Sequence, residues 1–512
     1  MVAHRTVNKA PLIRLLLILG VFFLSVSFVS AQYDFNNRCR DAYRSIFSLR
    51  FQEAENILAI EKKINPSNLL PVYLENYIDF LTLYIGEERR AFDQLIPNKS
   101  IRIKKLEKGS RYSPYYAYSL AEIYLQWAFI RIKFGDFAQA ALDIRNAHRL
   151  FAENDRKFPG FLPNKTGLGI IHILMGLVPE NYQWVKDILG MKGTISLGLE
   201  ELRLVGDYSG EDRAFLLLRP EASFYLAMIA ANLLKNKTET LVLLNRLDEQ
   251  AKAEQLGLSP LIIFARSNIL LKYGKTDEAL KILQTRLPQA KSYPFYYLDY
   301  LEGMARLNKL DVRAARFFQQ YLVNFHGQNY LRAARQKLAW ISLIKGDTLG
   351  YLHQMELIRT SGGALLVDED KQALHEAEAK VIPGSSLLKA RLLFDGGYYG
   401  DALKEITDHP VKSYIHTRRD FLEYTYRLGR IYHALGDHTK AVDAYKQTIQ
   451  RGKNEPYYFS CSAALQLGLM YESQGHVVQA DSAFRVCLSI DTPEYKTSLS
   501  QKAKAGLNRL KK

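Results

Sequence analysis

Apolar and polar positions along this chain repeat with the spacing of helices that come in pairs. The pattern is sharpest near the C-terminus, where segments beginning at Tyr426 and Leu465 align without a gap. Leu428, Gly429, Tyr432, Gly436, Ala441 and Tyr445 of the first stand opposite Leu467, Gly468, Tyr471, Gly475, Ala480 and Phe484 of the second. Glycine to alanine is 12 residues in both, and alanine to aromatic is 4. Gly429 and Gly468 fall where a first helix lies against a second and a side chain would force the two apart. Ala441 and Ala480 are the small partners on the second helix, and Tyr445 and Phe484 fill the space toward the next pair. Gly436 and Gly475 occupy the turn, where left-handed dihedrals are needed.

These positions resemble the tetratricopeptide repeat, a helix-turn-helix unit of roughly 34 residues. Looser copies lie upstream. Around Gly135 the intervals are kept by Ala128, Phe137, Ala140, Ile144 and Ala147, and around Gly274 by Ser267, Ala279 and Leu283. Ala42, Phe51, Ala54 and Leu58 mark an early copy, and Ala314 and Ala402 two degenerate ones. The resemblance implies an all-α fold, an irregular helix-turn-helix repeat solenoid in two or three lobes. Pro114-Tyr115-Tyr116, Pro294-Phe295-Tyr296 and Pro456-Tyr457-Tyr458 precede first helices, where proline starts the helix and the aromatics pack on the preceding repeat.

The pattern breaks twice. Residues 206–224 have the composition of a loop, and residues 360–386 carry Gly362-Gly363, the acidic run Asp368-Glu369-Asp370 and Pro383-Gly384, with a short helix expected near Lys371 to Lys380. The organisation expected is therefore a signal peptide at 1–31, an N-terminal helical lobe at 32–205 and middle repeats at 206–359. An irregular linker at 360–385 and C-terminal tetratricopeptide repeats at 386–512 complete it. A second likeness covers Gly167 to Leu202, which is similar to a segment of the inclusion-body clearance proteins. Gly167, Gly169, Gly176, Pro179, Gly190, Gly193 and Gly198 carry that likeness, and it implies shared helical architecture only.

The leader changes the picture of where the chain works. His4, Arg5, Lys9 and Arg14 precede the apolar run Leu15 to Val29, and Val29-Ser30-Ala31 suits cleavage. Fifteen apolar residues fall short of the roughly 20 that span a bilayer as a helix. The expectation is export to a Gram-negative-type envelope, periplasmic or associated with the outer membrane, without stable membrane insertion after cleavage. The 69 basic residues against 53 acidic ones are spread through helices, so they read as a solvated surface and not as a nucleic-acid site.

Candidate chemistry is sparse. The 3 cysteines and 11 histidines form no metal motif, and no phosphate loop, dinucleotide fingerprint or nucleophile elbow occurs. No metal site and no cofactor are expected, and the protein reads as non-catalytic. His172, inside an apolar helix, reads as a satisfied core residue. Cys461 and Cys487 lie at ends of a hairpin that come together. Buried free cysteine is the simpler reading and a bridge the alternative.

Tetratricopeptide arrays bind protein segments along the concave face lined by first helices. The resemblance places that role on Tyr426, Arg430 and His433, on Leu469 and Glu472 in the last copy, and on Asn268 in the middle one. The equivalent N-terminal set, Leu125, Phe129 and Ile132, is apolar and reads as core. The function implied is a protein-protein interaction scaffold in the cell envelope with a protein or peptide partner. The alternative is a glycan- or peptide-binding component of an outer-membrane uptake system.

Overall fold

The computed structural model of the 512-residue chain describes residues 32–178, 190–233, 236–286, 292–363, 365–408, 410 and 415–511. The leader at 1–31 and Pro179 lie outside the described residues. Twenty-four helices are described, with one isolated bridge between Gln32 and Asn68. The first ten are α1 (Asn37–Phe47), α2 (Phe51–Ile64), α3 (Leu70–Gly86), α4 (Arg89–Leu106), α5 (Pro114–Lys133), α6 (Phe137–Lys157), α7 (Pro163–Leu177), α8 (Ile195–Gly206), α9 (Arg213–Leu233) and α10 (Lys237–Ala253). Then come α11 (Pro260–Lys272), α12 (Thr276–Leu283), α13 (Tyr297–Leu307), α14 (Ala314–Asn324), α15 (Leu331–Ile344), α16 (Thr348–Thr360) and α17 (Asp368–Ala379). The last seven are α18 (Ser385–Asp395), α19 (Tyr399–Thr407), α20 (Arg418–Leu435), α21 (His438–Gly452), α22 (Phe459–Ser473), α23 (Val477–Ser489) and α24 (Lys496–Leu510). Successive helices pair as hairpins and stack into an irregular solenoid, α17 being an insertion and α24 a terminal cap.

A local code makes the hairpins. In Gly135-Asp136, Gly346-Asp347 and Gly436-Asp437 the glycine takes φ of +79°, +81° and +83°, and the aspartate then caps the second helix. Asp347 accepts the Gly350 amide at 2.8 Å and Asp437 the Lys440 amide at 3.2 Å, which satisfies amides that a helix start leaves open. The spacing between helices is set by glycine against aromatic. A Cβ on Gly429 would lie 2.5 Å from the Tyr445 ring, and one on Gly468 2.6 Å from Phe484. Ala441, Tyr445, Ala480 and Phe484 are fully buried, as their repeat positions require. α7 and α8 approach more closely still, because Gly169 and Gly198 let backbone meet backbone.

Two stretches differ from or refine the sequence reading. Residues 206–224 are not a loop throughout. Only 207–212 are irregular, and Arg213 begins α9, capped by Asp212, which accepts the Ala214 amide at 2.8 Å. Pro220 sits inside this helix, buried among Leu217, Leu218 and Ala222. Packing on both sides retains a helix that proline alone would interrupt. α9 is long and apolar enough by length and composition to cross a membrane, yet Ala222, Leu226 and Ala230 are fully buried against its neighbours. Within 360–385, α17 packs on α15 and α16, and its buried Asp370 accepts the Tyr330 and Ala333 amides at 2.7 and 2.8 Å.

The solenoid closes on itself at its start. Ser259 Oγ donates to the Phe47 carbonyl at 2.6 Å, and the Tyr293 amide donates to Leu49 at 2.7 Å. Phe51 stacks on Tyr293 at 5.1 Å. Glu87 accepts Asn329 Nδ2 at 2.6 Å and Lys133 Nζ at 2.6 Å. The first hairpin thus touches residues more than 200 positions on, and the first helices α1, α3, α5, α7 and α9 surround a common interior, the N-terminal ring. From α15 onward the first helices curve again in a C-terminal arc, where Tyr495 at the start of α24 reaches Gln372 of α17.

Candidate functional site

The inner surface of the C-terminal arc gathers charged and aromatic side chains from α15, α17, α18, α20, α22 and the start of α24. Helical spacing puts Lys337 and Trp340 of α15 on one face, and the Lys337 ammonium lies 3.8 Å from the Trp340 ring centroid. The Arg391 guanidinium from α18 sits 4.9 Å from the same ring. Cation and indole face attract through the ring quadrupole, by ~0.5–2 kcal/mol per contact. Lys337 bonds Gln336 Oε1 at 2.6 Å and makes no ion pair among the described residues. Burial, followed by the nearby Arg391, pushes its ammonium down to about 7, against the opposing pull of Glu376, Glu369 and Asp395.

The neighbouring charges are better matched. Glu376 accepts Gln336 Nε2 at 2.6 Å and Trp340 Nε1 at 2.8 Å, which holds the indole in place. On α20, Glu423 pairs with Arg427 and, at 3.4 Å, with Arg419. Burial alone would raise the Glu423 carboxyl, but Arg427, Arg419 and Arg391 outweigh it and hold it below its ordinary value. Arg391 has only a 3.8 Å contact with Asp395. Tyr458, preceding α22, stands 5.1 Å from Tyr495 and 4.4 Å from Phe459, ring to ring. The result is a recess with aromatic walls in which Glu376 is bonded to Trp340 and Glu423 to Arg427, while among the described residues Lys337 has no carboxylate at close range and Arg391 only that of Asp395.

The residues expected to line a groove fall in three places. Tyr426 is 7% exposed, packed with Tyr445 and Phe459. Arg430 Nη1 donates to the Tyr426 hydroxyl at 3.2 Å, and its guanidinium covers Phe394 at 4.7 Å. His433 lies 6.0 Å from His438, and burial lowers its basicity. Leu469 packs against the terminal cluster, and Glu472 accepts Arg509 at 2.6 and 2.7 Å. Asn268 is half-buried on α11, a different hairpin. Tyr426, Arg430 and His433 thus share one helix, while Leu469 and Glu472 face α24. Sequence reasoning missed Lys337, Trp340, Arg391 and Arg427. The one signal for the first two was a lysine and a tryptophan three residues apart on a helical stretch where no repeat had been recognised.

Other chemistry-bearing residues are structural. His172 Nδ1 lies 2.5 Å from Glu201 Oε2, both buried, so the core-histidine reading holds. Cys461 and Cys487 are free, buried, and 3.2 Å apart at sulfur. Of the aromatics at the starts of first helices, Phe295 packs on Phe264 of the preceding hairpin at 5.4 Å, as expected, whereas Tyr115 meets Phe161, which leads into the following hairpin, at 4.8 Å. Among the described residues no group of three or more His, Cys, Asp or Glu side chains converges to hold a metal. A cleft of about 610 Å³ opens beside the seam, lined by Ile263, Tyr293 and Phe295. Within its lining Arg286 pairs with Asp299 at 2.8 Å and Arg306 with Glu302 at 2.8 Å, and Arg50 and Arg316 add further positive charge.

The tetratricopeptide repeat family matches residues 422–451, which are α20, from Leu422 on, and most of α21. One chain in the crystal structure of the APC/C hetero-tetramer Cut9-Hcn1 is similar at 12% identity and a TM-score of 0.25, over 97% of this chain and 99% of that one. No curated protein matches. The all-α repeat architecture rests on the helix pairs themselves, and the family match covers one repeat of them.

Proposed function

We propose that this protein is a non-catalytic scaffold whose C-terminal arc holds an extended acidic segment of a protein partner. One observation carries the reading: Lys337 and Arg391 flank Trp340 in a recess where Lys337 lacks a carboxylate partner. Burial disfavours the charged form of Lys337, and a carboxylate from a partner offsets that penalty. Arg430 and His433 extend the same surface along α20, with Tyr426 beneath them, and Leu469, Glu472 and Asn268 belong to flanking repeats. The leader supports placement in the cell envelope, and fractionation of cells expressing the tagged chain tests that separately.

Titration of the full chain with the fluorescent peptide acetyl-Glu-Phe-Asp-Glu-Phe-Asp-amide is the direct test. Saturable binding that weakens with salt and falls at least about tenfold in Arg391→Glu is the expected outcome. Equal affinity for the variant, with an unchanged melting transition, removes the C-terminal arc as the binding surface.

A further inference from the structure

The N-terminal ring has a pocket of its own at its centre, and its chemistry is opposite. Glu122 of α5 and Glu221 of α9 line it, with Tyr77, Tyr118, Tyr225 and Gln126. Glu221 accepts hydroxyls from Tyr43 at 2.6 Å, Tyr77 at 2.8 Å and Tyr225 at 3.4 Å. Asn76 donates to Gln126 Oε1 at 2.7 Å, which leaves the Gln126 amide hydrogens for Glu122. No Lys, Arg or His lines the pocket, and neither carboxylate has an ion pair among the described residues. Thr166 and the apolar Phe80, Leu125, Phe129, Ile170 and Leu218 form the remaining wall. The cavity measures about 20 Å³, more than the ~10–15 Å³ that a single water needs.

We propose that this pocket binds a primary alkylammonium group, such as the end of a lysine side chain, between Glu122 and Glu221. The size admits an –NH3+ head and little more. The tyrosine and phenylalanine rings offer faces to a cation, and the apolar wall matches a methylene stem. Burial raises the Glu221 carboxyl, the three tyrosine hydroxyls that donate to it favour its ionised form, and no cation among the described residues of the site neutralises it.

The second carboxyl supplies the coupling. Burial, then the adjacent Glu221, pushes Glu122 up to about 8, with Gln126 opposing and Tyr73, Tyr118 and Tyr225 as its other polar neighbours. At neutral pH Glu122 therefore keeps its proton in the free protein. An arriving ammonium favours the ionised form, so binding releases that proton to solvent, and the bound state holds two carboxylates around one cation. The site is independent of the C-terminal recess, and failure of either leaves the other standing.

Calorimetric titration of the full chain at pH 7 with Nα-acetyl-lysine amide, in two buffers of different ionisation enthalpy, tests this. The expected result is saturable binding with net proton release, no binding of the Nε-acetylated analogue, and at least about a tenfold loss in Glu122→Gln, whose neutral amide stands in for the protonated acid. Thr166→Lys, which lines the pocket from α7, places an ammonium there in cis and blocks the ligand. 1-Butylamine distinguishes sources: equal affinity assigns the site to free alkylamines, and weaker affinity assigns it to a lysine on a protein. Absence of binding by either amine, or binding indifferent to both Glu122→Gln and Thr166→Lys, overturns the proposal.

Discussion

The N-terminal ring and the C-terminal arc are built from the same hairpin and bury titratable groups of opposite kind at their centres, carboxyls in one and basic groups in the other. In the ring, Glu122 and Glu221 sit among tyrosines with no cation beside them. In the arc, Lys337 and Arg391 flank Trp340, Lys337 without an ion pair among the described residues and Arg391 with a 3.8 Å contact to Asp395. The ring is also the tighter structure, since its first hairpin bonds to residues more than 200 positions on, whereas the last helices of the arc pack mainly on sequence neighbours. One repeat thus serves two interiors, because the hairpin fixes only the surfaces between helices. The residues that face inward are free to differ.

Four experiments sharpen or break this contrast. The largest effect is expected at the closest helix crossing. A Cβ on Gly198 would lie 2.3 Å from the Gly169 carbonyl oxygen, so Gly198→Val is expected to cost more than ~3 kcal/mol and to unfold the ring. In the arc, Gly468→Ala meets only the Phe484 ring, which can yield, and the expected cost is ~1–3 kcal/mol. Urea unfolding of both variants compares them, and equal losses would mean the ring is no tighter than the arc.

Next is pH. Folded Glu122 keeps its proton to about 8, whereas in the unfolded chain it is lost near its ordinary value of 4.5. The native state therefore holds more protons in that window, and its stability falls as pH rises through it. Lys337 behaves oppositely. The unfolded chain keeps that proton to 10.5 while the native state loses it near about 7, so stability rises with pH between those values. Each slope is expected to amount to ~1–3 kcal/mol. Glu122→Gln should flatten the first and Lys337→Met the second in urea midpoints, and slopes of the same sign would contradict the electrostatic contrast.

A smaller effect is expected at the seam. Glu87→Gln weakens the bonds to Lys133 and Asn329, at ~1–2 kcal/mol, and hydrogen exchange should rise at 47–51 and 325–330 without changing α20 to α23. Smallest is Cys461→Ala, at ~1 kcal/mol, because the side chain acts as a small apolar group. With both cysteines present, the 3.2 Å sulfur separation predicts that diamide joins them and that intact mass falls by two hydrogens.

Legibility followed the range of the interaction. Gly436 and Gly475 were readable because a left-handed turn favours glycine at that position. Gly429 with Tyr445 was readable because the two match Gly468 with Phe484 at a fixed spacing. α9 was misread as a loop, since Asp212 and Pro220 signal a break locally and only burial shows that the helix continues. Glu122 and Glu221 carried no signal at all, because a glutamate on a helix is ordinary until another helix's tyrosines close over it. Trp340 was hidden for a similar reason: its partners Arg391 and Glu376 come from helices in other repeats.

The sequence by itself determined the hairpins, their turns, and the small-against-aromatic contacts that set their spacing, since each depends on residues within one or two repeats. Only the tertiary structure decided that the first hairpin returns to close a ring and that the two interiors bury titratable groups of opposite kind. Those outcomes depend on small rotations between repeats that accumulate along the solenoid, and they bring together side chains such as Tyr43 and Glu221, 178 residues apart, that no local pattern relates.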